Sequence, residues 1–188
     1  WAKCKYCSHY TGYGTGYFNF EIEKVCEAIS ILSEKHSIDY IYFVDEAMPY
    51  ANMMKIAEYI KLNNINIKWY CETRIECPLI DEHNIEFLKD GGCEFLICGV
   101  ESGNQEVLDD MNKGICINDV YRFLQSTSKK KIGTLCMYFI DFPTEKESQT
   151  CDTFNFISRT SKLGTISTVG FFCLEKNTDI FIHPEEYG

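Results

Sequence analysis

A parallel α/β sheet is the architecture that this sequence predicts, on three observations. Short apolar runs of strand character alternate with segments of helical periodicity, five times each along 188 residues, as in a sheet built with crossover helices. The runs are apolar nearly throughout, as expected of strands covered on both faces. Each run also ends in polar or ionisable residues: Asp45-Glu46, Glu72-Thr73-Arg74, Gly99 to Gly103, Asp141-Phe142-Pro143 and Glu175-Lys176-Asn177. The carboxyl ends of the strands form the active rim of parallel α/β folds. Five such ends predict a polar site laid across the top of a barrel-like sheet of parallel strands, one domain over residues 1–188.

The elements follow in order. After the Gly/Tyr-rich loop "TGYGTGYFNF", Asn19 is a candidate N-cap for a helix with Ile22, Val25, Ile29 and Leu32 at helical spacing. "DYIYFVDEA" reads as a strand, and Met53, Ile56, Ala57 and Ile60 mark the apolar face of the next helix. "NIKWYCETR" is the second strand. Asp81 is the expected cap of a short helix that ends at glycines. "CEFLICGVESG" is the third strand, and Ser102 with Gln105 has the capping-box pattern for the helix after it. A helix over about 118–131 and the strand "IGTLCMYFIDF" come next. Thr144 and Glu147 form a second box, opening a helix to about Lys162, and "TISTVGFFCLEKN" is the last strand.

Composition narrows the function. Hydrophobic residues make up 45% and charged residues 24%, an ordinary soluble globular balance. A net charge of −10 argues against binding a nucleic-acid backbone, which needs a basic face. No apolar run is long enough to span a membrane. Eleven cysteines, an odd number lying mostly in apolar runs, fit reduced thiols in a cytoplasm. Cys26, Cys71, Cys93, Cys98, Cys136, Cys151 and Cys173 are expected to be buried small hydrophobes. Cys77 and Cys116 fall in loops.

Cys4 and Cys7 form a C-x-x-C pair at the front of the chain. A thioredoxin-type redox pair fits poorly, because the insert is Lys5-Tyr6 and a long loop follows. A zinc ribbon needs a second ligand pair, and His9 alone does not supply one. Two incidental loop cysteines, or ligands of an iron–sulfur cluster, remain.

At this point the sequence resembles a known family. Cys4, Tyr6 and Cys7 are similar to the last three defined positions of the cluster loop C-x-x-x-C-x-aromatic-C of radical S-adenosylmethionine (SAM) enzymes. The first cysteine would then be the residue before Trp1. The resemblance runs through "YIYFVDEA", "CETR", "LKDGGCEFLICGVESGNQEVLDDMNKG" and "MYFIDFPTEKESQTCDTFNFI", and is nearest to the cobalamin-linked and methylthiotransferase-like branches. It implies a [4Fe–4S] cluster held by cysteines that include Cys4 and Cys7, with SAM on the open iron and reductive cleavage to a 5′-deoxyadenosyl radical. It implies that Asp45 and Glu46 meet the SAM amino group, that Arg74 pairs with its carboxylate, that Glu101 and Ser102 face its ribose or methionine end, and that Tyr6 lies against the adenine. It further implies an open, partial (β/α) barrel of about five parallel strands whose first strand precedes the cluster loop, a reductase such as flavodoxin or ferredoxin, a small-molecule or peptide substrate, and a cobalamin domain outside this chain in the methylating branch. One departure stands out: the family has Gly where this chain has Asp141.

Each position also has a plainer reading. Asp45-Glu46 could be a solvated strand end, Glu101-Ser102 a helix start, Arg74 a surface ion pair and His183 a surface residue. The whole could be a non-catalytic iron–sulfur or zinc module serving interaction or electron transfer.

Overall fold

The computed structural model describes residues 3–8 and 21–187. His9, Asn19 and the loop "TGYGTGYFNF" lie outside the described residues. The element order is α1 (Ile22–His36), β1 (Tyr40–Phe43), α2 (Tyr50–Leu62), β2 (Lys68–Thr73), α3 (Glu82–Asp90), β3 (Cys93–Glu101), α4 (Gln105–Asp110), α5 (Ile117–Lys129), β4 (Gly133–Ile140), α6 (Glu147–Ser161), β5 (Ile166–Phe171) and α7 (Asp179–Ile182). All five strands are parallel and pair in sequence order, β1-β2-β3-β4-β5. This is the open α/β sheet expected from the alternation of elements.

The core lies between the sheet and its helices. Alternation along β2 to β4 turns Trp69, Cys71, Leu96, Cys98, Val100 and Cys136 toward the helices, and each is 0% exposed. Met53, Ile56, Ile85, Leu88, Phe123 and Leu124 come from α2, α3 and α5 to meet them. The opposite, inner face is only partly covered: Tyr70, Glu72, Ile97, Gly99, Met137 and Phe139 are half-buried there. One sheet face thus carries stability, and the other stays open for a site.

Helix ends follow local chemistry, with two corrections to expectation. Asp81 caps α3 as expected, its side chain accepting from His83 N at 2.9 Å. The cap of α4 is Asn104, whose Oδ1 accepts from Val107 N at 3.2 Å. Ser102 lies two residues too early and instead accepts from Asn104 N at 3.1 Å. Gln105 Oε1 accepts from Ile117 N at 2.9 Å, at the start of α5. Likewise α6 begins at Glu147, so its third residue is Gln149, which accepts from Lys146 N at 2.8 Å. Thr144 is upstream of that turn and donates to Asp110 at 2.7 Å. Two cysteines also differ from expectation. Cys151 is on the solvent face of α6 and Cys173 follows β5, and both are exposed.

Trp69 ties the sheet to the helix layer. Its ring is fully buried, and Nε1 donates to Gly91 O at 2.8 Å. Gly91 ends α3 against α2, where a Cβ would collide with both the Cβ and the Cα of Ala57. Because backbone is what it meets, Gly91→Ala forces the two helices apart. We expect a loss of about 1–3 kcal/mol, read as a lower urea midpoint at unchanged slope. A midpoint within error of wild type would show that the helices yield freely there.

Candidate active site

The parallel strands bring their carboxyl ends to one edge, and residues 3–8 lie along it. Lys5 N donates to Met111 O at 3.0 Å, Asn112 Nδ2 donates to Lys3 O at 2.7 Å, and Ile180 N donates to Lys5 O at 3.3 Å. The segment is therefore held through its own backbone between the end of α4 and α7. Cys7 N donates to Cys4 O at 3.1 Å, closing a turn that carries both thiols. Cys4 is buried and Cys7 half-buried.

Tyr6 points inward from this turn. Its ring meets Phe139 edge-on at 5.1 Å and packs on a second apolar cluster of Val107, Met111, Phe142, Ile180 and Tyr187. Its hydroxyl accepts from Lys113 Nζ at 3.2 Å, and the same ammonium donates to Glu101 Oε1 at 2.7 Å. The side chains of Lys113 and Glu101 are 9% and 13% exposed. Such a pair recovers its desolvation cost only through close geometry and further hydrogen bonds, and the tyrosine hydroxyl supplies one. Burial, followed by the charges of Glu101 and Cys4, pushes the Tyr6 phenol well above its ordinary range. It therefore stays protonated and neutral.

The backbone is shaped to allow this. The pairing of β3 with β4 slips between Gly99 and Glu101, and Glu101 has φ +74°. A bulge of this kind re-aims a side chain at a strand end. A Cβ at Gly99 would run into Glu101 Oε1 and come within 3.2 Å of Lys113 Nζ, so glycine leaves the space that the folded-back carboxylate fills. Asp141, where the family has Gly, also has positive φ, +66°. Such a left-handed backbone favours glycine, and Asp is among the few other residues that tolerate it.

Arg74 extends from the end of β2 to the thiol turn, its Nη1 donating to Cys4 Sγ at 3.7 Å. Thr73 before it is fixed by donating to Met48 O at 2.8 Å. Cys4, Tyr6, Arg74 and Glu101 are thus brought together. Asp45 and Glu46 stand exposed beyond β1 at the same edge. Ser102 is set apart: it is fully buried, and its hydroxyl is bonded to Thr153 Oγ1 at 3.1 Å and to Asn104 N. Among the described residues, no three His, Cys, Asp or Glu side chains converge as a complete metal site. Lys113 was not singled out from sequence. The only signal was its place in "MNKG", since a lysine after a short polar helix reads as solvated until its burial is seen.

Known proteins resemble this chain in sequence and in fold. The profile of the Radical SAM superfamily matches residues 1–157. An uncharacterized methyltransferase of Pyrococcus horikoshii is 25% identical over 159 residues, 84% of this chain and 34% of that protein. The hopanoid C-3 methylase of Methylococcus capsulatus is 27% identical over 124 residues, 65% of this chain and 23% of that protein. This chain therefore spans about a third or less of the curated relatives it matches. In fold it is similar to the radical SAM methyltransferase TsrM of Kitasatospora setae, solved with tryptophan substrate and a SAM analog, at TM-score 0.80 and 17% identity, covering 98% of this chain and 36% of that one. It is also similar to the cobalamin-dependent SAM radical enzyme OxsB, at TM-score 0.70 and 17% identity, covering 99% and 29%. No helix among the described residues is long and apolar enough to cross a membrane. With the profile covering most of its length, the chain belongs to the Radical SAM superfamily.

Proposed function

We propose that this chain is the core of a radical SAM enzyme that modifies a small-molecule or peptide substrate, of the cobalamin-dependent methyltransferase kind. The observation that carries this reading is the buried Tyr6–Lys113–Glu101 cluster, which joins the thiol turn to the end of β3 beside Arg74. The donor set fits a [4Fe–4S] cluster in part. Two thiols share one turn, with a guanidinium beside one of them. Thiolates are the ligands of such clusters, and a fixed cation suits an anionic sulfur.

When bound, the cluster and SAM supply one-electron chemistry: reductive cleavage of the sulfonium bond to a 5′-deoxyadenosyl radical. The chain's own residues bind and orient. Arg74 presents a fork suited to the SAM carboxylate. Asp45 and Glu46 accept from its ammonium. Glu101, already held by Lys113, accepts from a ribose hydroxyl or the amino end. Tyr6 supplies an apolar ring for the adenine, and its hydroxyl keeps its proton. Ser102 keeps the β3–α4 junction in place beneath these contacts. An electron donor such as flavodoxin or ferredoxin, and cobalamin carried by a domain outside this chain, complete the reading. The names of the relatives support the cobalamin assignment: TsrM is described with cobalamin and a [4Fe–4S] cluster bound, and OxsB with aqua-cobalamin. A cytoplasmic setting fits the cysteine content.

Two outcomes test this. Full-length protein reconstituted anaerobically with iron and sulfide, then given SAM and a strong reductant, should release 5′-deoxyadenosine, with S-adenosylhomocysteine where a methyl group moves. Mass spectrometry reads both. Cys4→Ala or Cys7→Ala should abolish the release. A well-formed cluster that neither binds nor cleaves SAM would sink the proposal in favour of a non-catalytic iron–sulfur module. Separately, Lys113→Met leaves Glu101 buried without its cation and should cost about 3–5 kcal/mol, read by chemical denaturation. The double variant Lys113→Met/Glu101→Gln should recover much of that loss. Equal stability of the single variant and wild type would mean that the pair does not hold the loop.

A further inference from the structure

The inner face of β1 and β2 carries side chains that neither the core nor the cofactor contacts use. Alternation along β2 puts Tyr70, Glu72 and Arg74 on one side, opposite buried Trp69, Cys71 and Thr73. Arg74 reaches Cys4. Glu72 therefore stands one alternate position below the proposed reaction edge, roughly 7 Å along the strand. On β1, Tyr42 is in register with Tyr70 and stacks on it, ring centroids 4.7 Å apart and planes within 11°. Its hydroxyl donates to Glu72 Oε1 at 2.9 Å. Tyr42 stays 40% exposed. The result is an accessible carboxylate, hydrogen-bonded through one oxygen, set against a wall of tyrosine rings.

The lower end of that wall shows what the upper end lacks. There Lys68 Nζ lies 5.7 Å from the centre of the Tyr40 ring and 3.7 Å from Glu94 Oε1, so the protein itself sets a cation against tyrosine and carboxylate. At the upper end the tyrosine and the carboxylate are present, but among the described residues no Lys, Arg or His is ion-paired with Glu72. Asp45, exposed at the end of β1, adds to the negative field. Cys71, behind Glu72 on the other face, is pushed up to about 12, first by burial and then by the charges of Asp45 and Glu72.

The geometry points to a substrate subsite for a cationic nitrogen, a protonated amine or a guanidinium, formed by Glu72 and the stacked Tyr42–Tyr70 pair on the inner face of the sheet. Glu72 accepts the N–H bonds through its second oxygen, and the exposed tyrosine ring receives the charge on its face. Placed there, the substrate has its charged end below the edge where Arg74 and Cys4 meet, and the rest of it extends upward to that edge. This inference rests on the radical SAM reading and adds a class of substrate to it.

The test uses the full-length, cluster-loaded protein with SAM, held anaerobically. The probes are two cations, benzylamine and N-acetyl-arginine amide, and their uncharged counterparts, benzyl alcohol and N-acetyl-citrulline amide. Binding is read by saturation-transfer NMR and calorimetry. Wild type should bind each cation about tenfold or more tightly than its neutral partner. Glu72→Gln should remove that preference while SAM still binds. Tyr42→Phe should keep most of it, because the ring wall remains, whereas Tyr42→Ala should weaken both cations several-fold. Charge-blind binding by wild type, or a preference that survives Glu72→Gln, would overturn the subsite. A loss of SAM affinity in Glu72→Gln would also overturn it, by giving the carboxylate to SAM. Wild type that never binds SAM would instead overturn the radical SAM reading, and is distinguishable because probe selectivity is measured independently.

Discussion

A buried ammonium holds this site together. Lys113 Nζ joins a tyrosine of the front loop to a glutamate at the end of the third strand. It does so where its side chain and that of Glu101 are almost wholly out of water. A lone charge at such a position would be costly, and an ion pair alone would do little better than an apolar substitute. The third partner, Tyr6 hydroxyl, takes up a further donor of the ammonium. The same tyrosine is clamped from the other side by Phe139 and the cluster around Phe142. Polar and apolar contacts thus converge on one residue of the front loop. The placing of Cys4 and Cys7 follows from that convergence.

The bulge at Glu101 is the other half of the device. In a regular parallel ladder, alternation would set residue 101 without choice. Slipping the pairing after Gly99 and turning Glu101 to positive φ frees its side chain to fold back over the glycine. A non-glycine residue in this region costs of order 1–3 kcal/mol and persists only where its surroundings over-determine it. The ion pair supplies that determination. Strain and salt bridge therefore stand or fall together, and a change at Gly99, Glu101 or Lys113 is felt by the other two and by the thiol turn.

Much of this was legible in the sequence. The strands, the helix positions and the polar strand ends came from periodicity, which works because sheet faces and helix stripes are set by burial. Asp81 could be read as a cap because the helix start next to it was unambiguous. Ser102 and Thr144 were misplaced because each sits two residues before the true cap, Asn104 and Lys146, and spacing alone does not rank such close competitors. Lys113 was invisible for a different reason. Its importance lies in the loss of water around it, and no local pattern encodes that. Cys151 and Cys173 were assigned to the core by residue type, and their exposure depends on which way α6 and the chain after β5 happen to face.

The division of the sheet into two unlike faces explains how one small core serves both stability and chemistry. The helix side of β2 to β4 is closed to water and supports the strands whose ends carry Arg74 and Glu101. The inner side of the same strands gives up burial, leaving Tyr42, Tyr70 and Glu72 accessible. The edge strand β5 is open on both sides, with Ile166, Val169 and Phe171 at 53%, 41% and 74% exposure. Local opening is therefore expected to begin at the edges, where buried contacts are fewest, while the central strands persist. The residues that hold the thiol turn are anchored mainly to β3 and the chain just after it. The site is thus borne by the least labile part of the sheet, and the accessible tyrosine–glutamate wall lies on β1 and β2, at the edge opposite β5. On the proposed reading, a rigid reaction edge beside a more yielding recognition wall lets the chemistry stay fixed while the shape of the bound molecule is accommodated.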